Sequence, residues 1–335
     1  MTDDILYSVR NLSVDYTTRS GTVRAVDDVS LDIKRGEILG LVGESGCGKS
    51  TLGKALMRLH TGPAEITAGE LWFDGRNLMT LSDGQMRQVR GAELGMVFQD
   101  PMTSLNPVQR VIDHISETIR THEPSSEHLA RQRAEELFER LGIRSERIDD
   151  YPHQMSGGMR QRVMISLALA LHAKLVIADE PTTSLDVIVE AKFLDLLREL
   201  REEFGLTILL ITHNIGVVAE VADRVAVMYA GHMAEVGDVE DVFDRPLHPY
   251  TQGLLQSVPN ISLTEADNLY RMGGEPPNLV NPPSGCRFHP RCPSAMPICS
   301  RLAPHLQPAV DEHFVHCWLY EDHPEKEMPT VKAEG

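Results

Sequence analysis

The sequence predicts an α/β fold organised around a parallel sheet, and three observations carry that expectation. A short apolar run, EILGLVG from Glu37, leads into a glycine-rich turn and then a helix from about Ser50, the strand-loop-helix order of a parallel α/β unit. Strand-length apolar runs recur as LVIA from Leu175, TILLI from Thr207 and RVAVMY from Arg224, with helical stretches between them. A chain of 335 residues with 41% hydrophobic content buries one full core and leaves room for a smaller second unit.

Ahead of that sheet, residues 5–40 are rich in Val, Ile, Leu and Tyr with period-2 alternation broken at Gly21 and Gly36, which reads as the strands and turns of a β subdomain. Residues 107–150 are charged and helical in period, most clearly over 129–141, so a helical insertion is expected there. Past Ser257 the composition shifts to Pro and Gly (GGEPPNLVNPPSG), the mark of a linker, and a cysteine-bearing appendage follows. From Glu321 the chain reads as disordered. No internal repeat and no sustained heptad pattern is present. The plan is a main domain at 1–257 with its helical part at about 105–165, a C-terminal extension at 258–320 and a tail at 321–335.

Charge and hydropathy narrow the function classes. Lys and Arg total 32 against 49 Asp and Glu, a formal charge of −17, the wrong sign for gathering phosphate backbones by counterion release. Nucleic acid is therefore not an expected partner. No apolar run reaches the roughly 18–20 residues of a membrane span; the longest, at 163–178, is interrupted by His172 and Lys174. The N-terminal MTDDILYSVR lacks the basic start and apolar block of a signal peptide. A cytosolic address with reduced thiols is expected.

The chemistry begins at Gly43-Glu44-Ser45-Gly46-Cys47-Gly48-Lys49-Ser50, which matches G-x-x-x-x-G-K-[ST] between a strand and a helix. Glycines let backbone N–H groups face phosphate oxygens, and the helix start adds partial positive charge. Lys49 would reach the β and γ phosphates of ATP and Ser50 would supply a Mg²⁺ ligand, with Thr51 next to it. Further on, LVIADE ends an apolar strand in two acids, Asp179 and Glu180, placed at the sheet's carboxyl edge near the phosphate loop. Asp179 would hold Mg²⁺ through water, and Glu180 would orient or deprotonate the attacking water.

A second glycine pair, in MSGGMRQR from Met155, opens a helix shortly before that acidic strand. Together these motifs resemble the ABC-transporter ATPase family over residues 5–259. The resemblance implies a P-loop cassette of parallel-sheet core, antiparallel β subdomain and helical subdomain. Two cassettes would meet head to tail, each ATP lying between one phosphate loop and the partner's Ser156, Gly157 and Gly158. It also implies that Tyr16 stacks on adenine and that Gln99, in MVFQDP, links the metal site to the transport channel. Ser184-Leu185-Asp186 would cross the dimer interface, and His213 would contact the γ-phosphate. One departure stands out: Met159 occupies a position where the family's motif has Gln.

Cys47 lies in the phosphate loop; the other cysteines follow as Cys286-x5-Cys292-x6-Cys299-x17-Cys317. Four thiols in one short segment of a reduced protein point to a metal site, since a small segment poor in apolar residues needs a staple. An iron-sulfur cluster and Zn²⁺ both satisfy that chemistry, unligated cysteines being the third reading. His289, His305, His313 and His316 lie close enough in sequence to substitute as ligands. HPYTQGLLQS from His248 and CRFHPRCPSAMPIC from Cys286 resemble the C-terminal extension of the oligopeptide and dipeptide importer ATPases. That resemblance implies a structural [4Fe-4S] cluster on Cys286, Cys292, Cys299 and Cys317.

The implied function is ATP hydrolysis powering di- or oligopeptide import from the cytoplasmic face of the membrane. The implied partners are a second cassette, a paralogue, together with two membrane permease subunits and an extracytoplasmic binding protein. Nickel or glutathione is the alternative cargo. A soluble ABC ATPase acting on nucleic acid or ribosomes is the competing class, but it calls for basic surface, paired cassettes in one chain or a long coiled coil. A cluster that gates the motor as a redox sensor is the third reading.

Overall fold

The computed structural model describes residues 4–60, 62–99, 104–183, 186–257, 272–310 and 312–322. Its strands are β1 (Ile5–Thr18), β2 (Gly21–Lys34), β3 (Ile38–Val42), β4 (Ala64–Phe73), β5 (Arg76–Asn77), β6 (Leu94–Val97), β7 (Leu175–Asp179), β8 (Thr207–Thr212), β9 (Arg224–Tyr229), β10 (His232–Asp238), β11 (Gln307–Val310) and β12 (His313–Val315). They form a smaller sheet of order β2-β1-β4-β5 and a larger one of order β11-β12-β10-β9-β3-β8-β7-β6.

In the larger sheet β6, β7, β8, β3 and β9 run parallel. Every residue of these strands is buried, as a parallel sheet covered on both faces requires. The two-residue period decides which core each side chain joins. Ile208 and Leu210 of β8 pack toward the helices, with Phe138, Met164 and Leu197. Leu209 and Ile211, together with Leu39 and Leu41 of β3, face the smaller sheet's Tyr7, Val9 and Phe73.

The helical part comprises Val111–His122, Glu127–Arg140 and Gly157–Leu169. Ile112, Ile115, Ala130, Ala134, Phe138, Val163 and Met164 form its interior, continuous with the sheet's helical face. The expected β subdomain is antiparallel, and it includes β4 and β5, strands that the alternation over 5–40 did not extend to.

The C-terminal segment is not hung on the domain by a linker alone. β12 pairs with β10, and β11 with β12, both antiparallel, so the segment lengthens the main sheet at its β9 side. The Pro/Gly linker expected after Ser257 lies outside the described residues as far as position 271. The expected tail lies outside them from position 323, whereas Glu321 is held: its carboxylate accepts from His305 N at 3.0 Å and pairs with His305 Nδ1 at 2.9 Å. Among the described residues no helix is long and apolar enough to cross a membrane.

Candidate nucleotide site

The carboxyl ends of β3, β6, β7 and β8 deliver the predicted residues to one edge of the sheet. Val42 ends β3 and Gly43 begins the phosphate loop. A Cβ on Gly43 would stand 2.1 Å from Met228 O, and one on Gly48 would stand 2.2 Å from Ala25 O, so both positions demand glycine on space alone. Gly46 faces open space but has φ of +81°, a conformation that side chains disfavour. Cys47 is buried, and its O accepts from Gly231 N at 2.9 Å. Ser45 is exposed. The helix Lys49–Leu56 starts at Gly48 with no side-chain cap, which leaves first-turn N–H groups for an anion.

Lys49 is 4% exposed and donates to Gly43 O at 2.7 Å and Glu44 O at 3.1 Å. Ser50 Oγ donates to Asp179 Oδ1 at 2.8 Å. Burial pushes the Asp179 carboxyl up, the Ser50 bond opposing it. These two side chains make an oxygen pair of the kind that suits Mg²⁺. Tyr16, at the far end of β1, bonds Thr51 through the two hydroxyls at 3.1 Å.

Glu180 is the point of convergence. Its backbone lies in the left-handed region, φ +47°, with its N–H on Ile211 O at 2.8 Å. Gln99 Nε2 and Thr183 Oγ1 each donate to Glu180 Oε2 at 3.1 Å. On the other oxygen, His213 Nδ1 stands 3.4 Å from Glu180 Oε1. The carboxylate is 13% exposed and His213 54%, so the acid is sheltered while the imidazole faces outward.

Ser156, Gly157 and Gly158 are brought together elsewhere. Ser156 caps the helix Gly157–Leu169, accepting from Met159 N at 3.4 Å. With Asp186 and Phe193 they line a cleft of about 440 Å³ that contains no phosphate-loop residue. Asp186 caps its own helix, accepting from Val189 N at 2.9 Å; Ser184 and Leu185 lie outside the described residues, as do Asp100 and Pro101 of the MVFQDP segment.

Residues 26–183 match the ABC transporter family, and residues 234–299 match the oligopeptide/dipeptide transporter C-terminal region. The dipeptide transport ATP-binding protein DppD of Bacillus subtilis is 47% identical over 330 residues, 98% of each chain. The oligopeptide transport ATP-binding protein OppD of the same organism is 46% identical, covering 98% of this chain and 93% of that protein. The chain belongs to the ABC transporter ATP-binding proteins, oligopeptide/dipeptide group. The cassette is also similar to a solved dimeric bacterial ABC transporter cassette, MJ0796, at TM-score 0.63 and 29% identity, covering 70% of this chain and 98% of that one.

Within the cassette's site, Thr183, Tyr250 and Arg291 escaped the sequence reading. Thr183 had a signal, lying three residues after Glu180. Tyr250 stood in the HPYTQ segment, but its target was invisible: Tyr250 Oη accepts the Glu44 N–H at 2.9 Å. The rest of HPY explains itself through that contact. His248 Nδ1 accepts from Tyr250 N at 3.0 Å, Pro249 occupies the first helical turn, and buried Glu235 accepts from Leu247 N and His248 N at 2.7 and 2.9 Å.

The histidines weighed as substitute ligands already have partners. His313 Nε2 pairs with Glu235 at 2.7 Å, His305 with Glu321, and His289 Nδ1 with Cys286 O at 2.9 Å. His316 stacks on His232 with ring centroids 5.3 Å apart.

Proposed function

We propose that Glu180 positions the attacking water for ATP hydrolysis and that this hydrolysis powers import of di- or oligopeptides. The grip of Gln99, Thr183 and His213 on one sheltered carboxylate carries the reading. Phosphoryl transfer asks mostly for positioning and charge stabilisation, and Glu180 is held by side chains from three separate segments. Lys49, with the loop's N–H groups, binds the phosphates, and Ser50 and Asp179 would hold Mg²⁺, with Gln99 beside them. That ion would supply neutralisation of charge on the transferring phosphate. Tyr16 offers a face for adenine. Substituting Glu180→Gln should retain ATP binding while steady-state hydrolysis falls by about a thousandfold; near-normal turnover would overturn the role.

The site is completed by a second cassette. The cleft of Ser156, Gly157 and Gly158 is an anion-seeking helix start without an acid pair, so it serves a nucleotide held by the partner. Val187 and Ile188, beside Asp186, are 80% and 70% exposed, which supports a covered face there. Closure of the pair is then the mechanical output, favoured by ATP and released by hydrolysis. Two permease subunits in the membrane and an extracytoplasmic binding protein would read and feed that cycle, with the cassette peripheral on the cytoplasmic face. Reconstituted complex in vesicles, supplied with ATP and dipeptides, tripeptides or longer peptides, should show hydrolysis stimulated by one class; stimulation by nickel or glutathione alone would reassign the cargo.

We infer further that Cys286, Cys292, Cys299 and Cys317 hold a [4Fe-4S] cluster. Burial pushes the Cys286 thiol up to about 11 and Cys317 to about 12, and the neighbouring thiols raise each further. Buried thiols of this kind become thiolates together around a cationic centre. Met296 N already donates to Cys299 Sγ at 3.5 Å. Among the described residues no group of three or more His, Cys, Asp or Glu is arranged to hold a metal ion. Anaerobic purification should give stoichiometric iron and sulfide; zinc, or neither element, would overturn the assignment.

A further inference from the structure

The phosphate loop is held at Glu44 from outside the parallel core. While Tyr250 takes the Glu44 N–H, the Glu44 carboxylate receives a bidentate pair from Arg291, Nη1 at 2.7 Å and Nη2 at 2.9 Å. Arg291 is itself fixed. Its Nη1 also donates to Tyr229 Oη at 3.2 Å, its Nε donates to Gly273 O at 3.0 Å, and its guanidinium lies 5.7 Å from the Tyr229 ring centre. The side chain is 6% exposed, and that of Glu44 27%. Planar two-pronged pairing of this kind fixes geometry as well as charge.

The pairing resolves an oddity of the sequence. Glu44 puts a carboxylate on a loop whose task is to bind a polyanion, and unpaired it would repel the incoming phosphates. Arg291 removes that repulsion and uses the same carboxylate as a handle on the loop. It sits in the short turn His289–Arg291, which lies between Cys286 and Cys292, so the order of the cysteine segment sets the position of the handle.

We propose that Arg291 is a positioning residue for the nucleotide, neutralising Glu44 and pinning the phosphate loop, so that the C-terminal segment sets nucleotide affinity. The proposal rests on the reading of residues 43–50 as the nucleotide site. Lys49→Ala tests that reading separately: undiminished binding by it would remove the site, whatever Arg291 does.

The test is calorimetric titration of the full chain with Mg-ATP and Mg-ADP. Arg291→Ala should weaken both by about tenfold, raising KM for ATP with little change in kcat at saturation. Adding Glu44→Gln to Arg291→Ala removes the unpaired carboxylate and should restore binding to within about threefold of the parent. Arg291→Lys, which keeps the charge, should recover at least half of the logarithmic loss and guards against failure of the alanine variant to fold. Glu312→Ala breaks the exposed pair with Lys34 on the same segment and should leave affinity unchanged. The proposal falls if Arg291→Ala binds within twofold of the parent, if the double variant is as weak as Arg291→Ala, or if lysine is no better than alanine.

Discussion

Two helices of this cassette open on glycines, yet only one of them stands beside a pair of acids. At Gly48 the helix start is uncapped, with Lys49 buried next to it and the Ser50–Asp179 pair at its side. At Ser156 the helix start is closed by its own serine, and its cleft is lined by Arg162 and Lys192 but contains no acid pair. The caps differ, Gly48 being left-handed and Ser156 extended, and the sheet adds a larger difference. Parallel strands end at the first helix and bring Asp179, Glu180 and His213 to it, whereas the second belongs to the helical part and meets the sheet's edge only through Gln161, which donates to Pro181 O. On the proposed reading, the first start holds the phosphate chain and the second completes the site of a partner subunit.

The sharpest way to break that division is to disable the second start alone. A Cβ on Gly158 would lie 2.9 Å from Val189 Cγ1, and a carboxylate there would also meet the partner's phosphates. Gly158→Asp should cut hydrolysis by about a hundredfold through misplacement at the closed interface, with nucleotide affinity of the isolated chain unchanged. Loss of binding in the isolated chain would mean that the two starts share one site within a subunit.

The histidines differ in how the fold exposes them. His213 faces outward, while His248 is buried with its Nδ1 accepting a backbone N–H, a role open only to the neutral ring. Burial, with His316 nearby adding to it, lowers His248 from 6.5 to about 3. Its folded value is depressed, so on acidification the unfolded chain takes up the proton first. The stabilisation is complete above about pH 6.5 and is lost as pH falls toward 3, at about 1.4 kcal/mol per pH unit. His248→Asn keeps an acceptor at the cap. Between pH 7 and 5.5 its melting temperature should fall by roughly 2–4 °C less than that of the parent, as calorimetry would show. An equal fall would place the acid sensitivity elsewhere.

The same division governs what was legible in the sequence. The parallel strands ending in Val42, Asp179 and Thr212 read directly, because burial on both faces leaves an unbroken apolar run. Gly43–Ser50 and the acid pair read directly because their spacing is dictated by the phosphates. β4, β5 and β10 were silent, as these antiparallel strands mix polar and apolar residues with no sharp period. Arg291 was illegible for a different reason: a bidentate contact spanning 247 positions of sequence leaves no local trace at either end.

Met159 tests the comparison most gently. Its side chain packs against the helical interior with Leu137 and Leu167, and only its N–H serves the Ser156 cap. The thioether thus contributes apolar contact where the family's motif carries an amide. Met159→Gln would exchange that contact for a polar group at the cleft, costing about 0.5–1 kcal/mol of stability. Hydrolysis should change by less than about twofold, since the helix start and its glycines are untouched. A gain of tenfold or more would show that the second start lacks a contact the reaction uses.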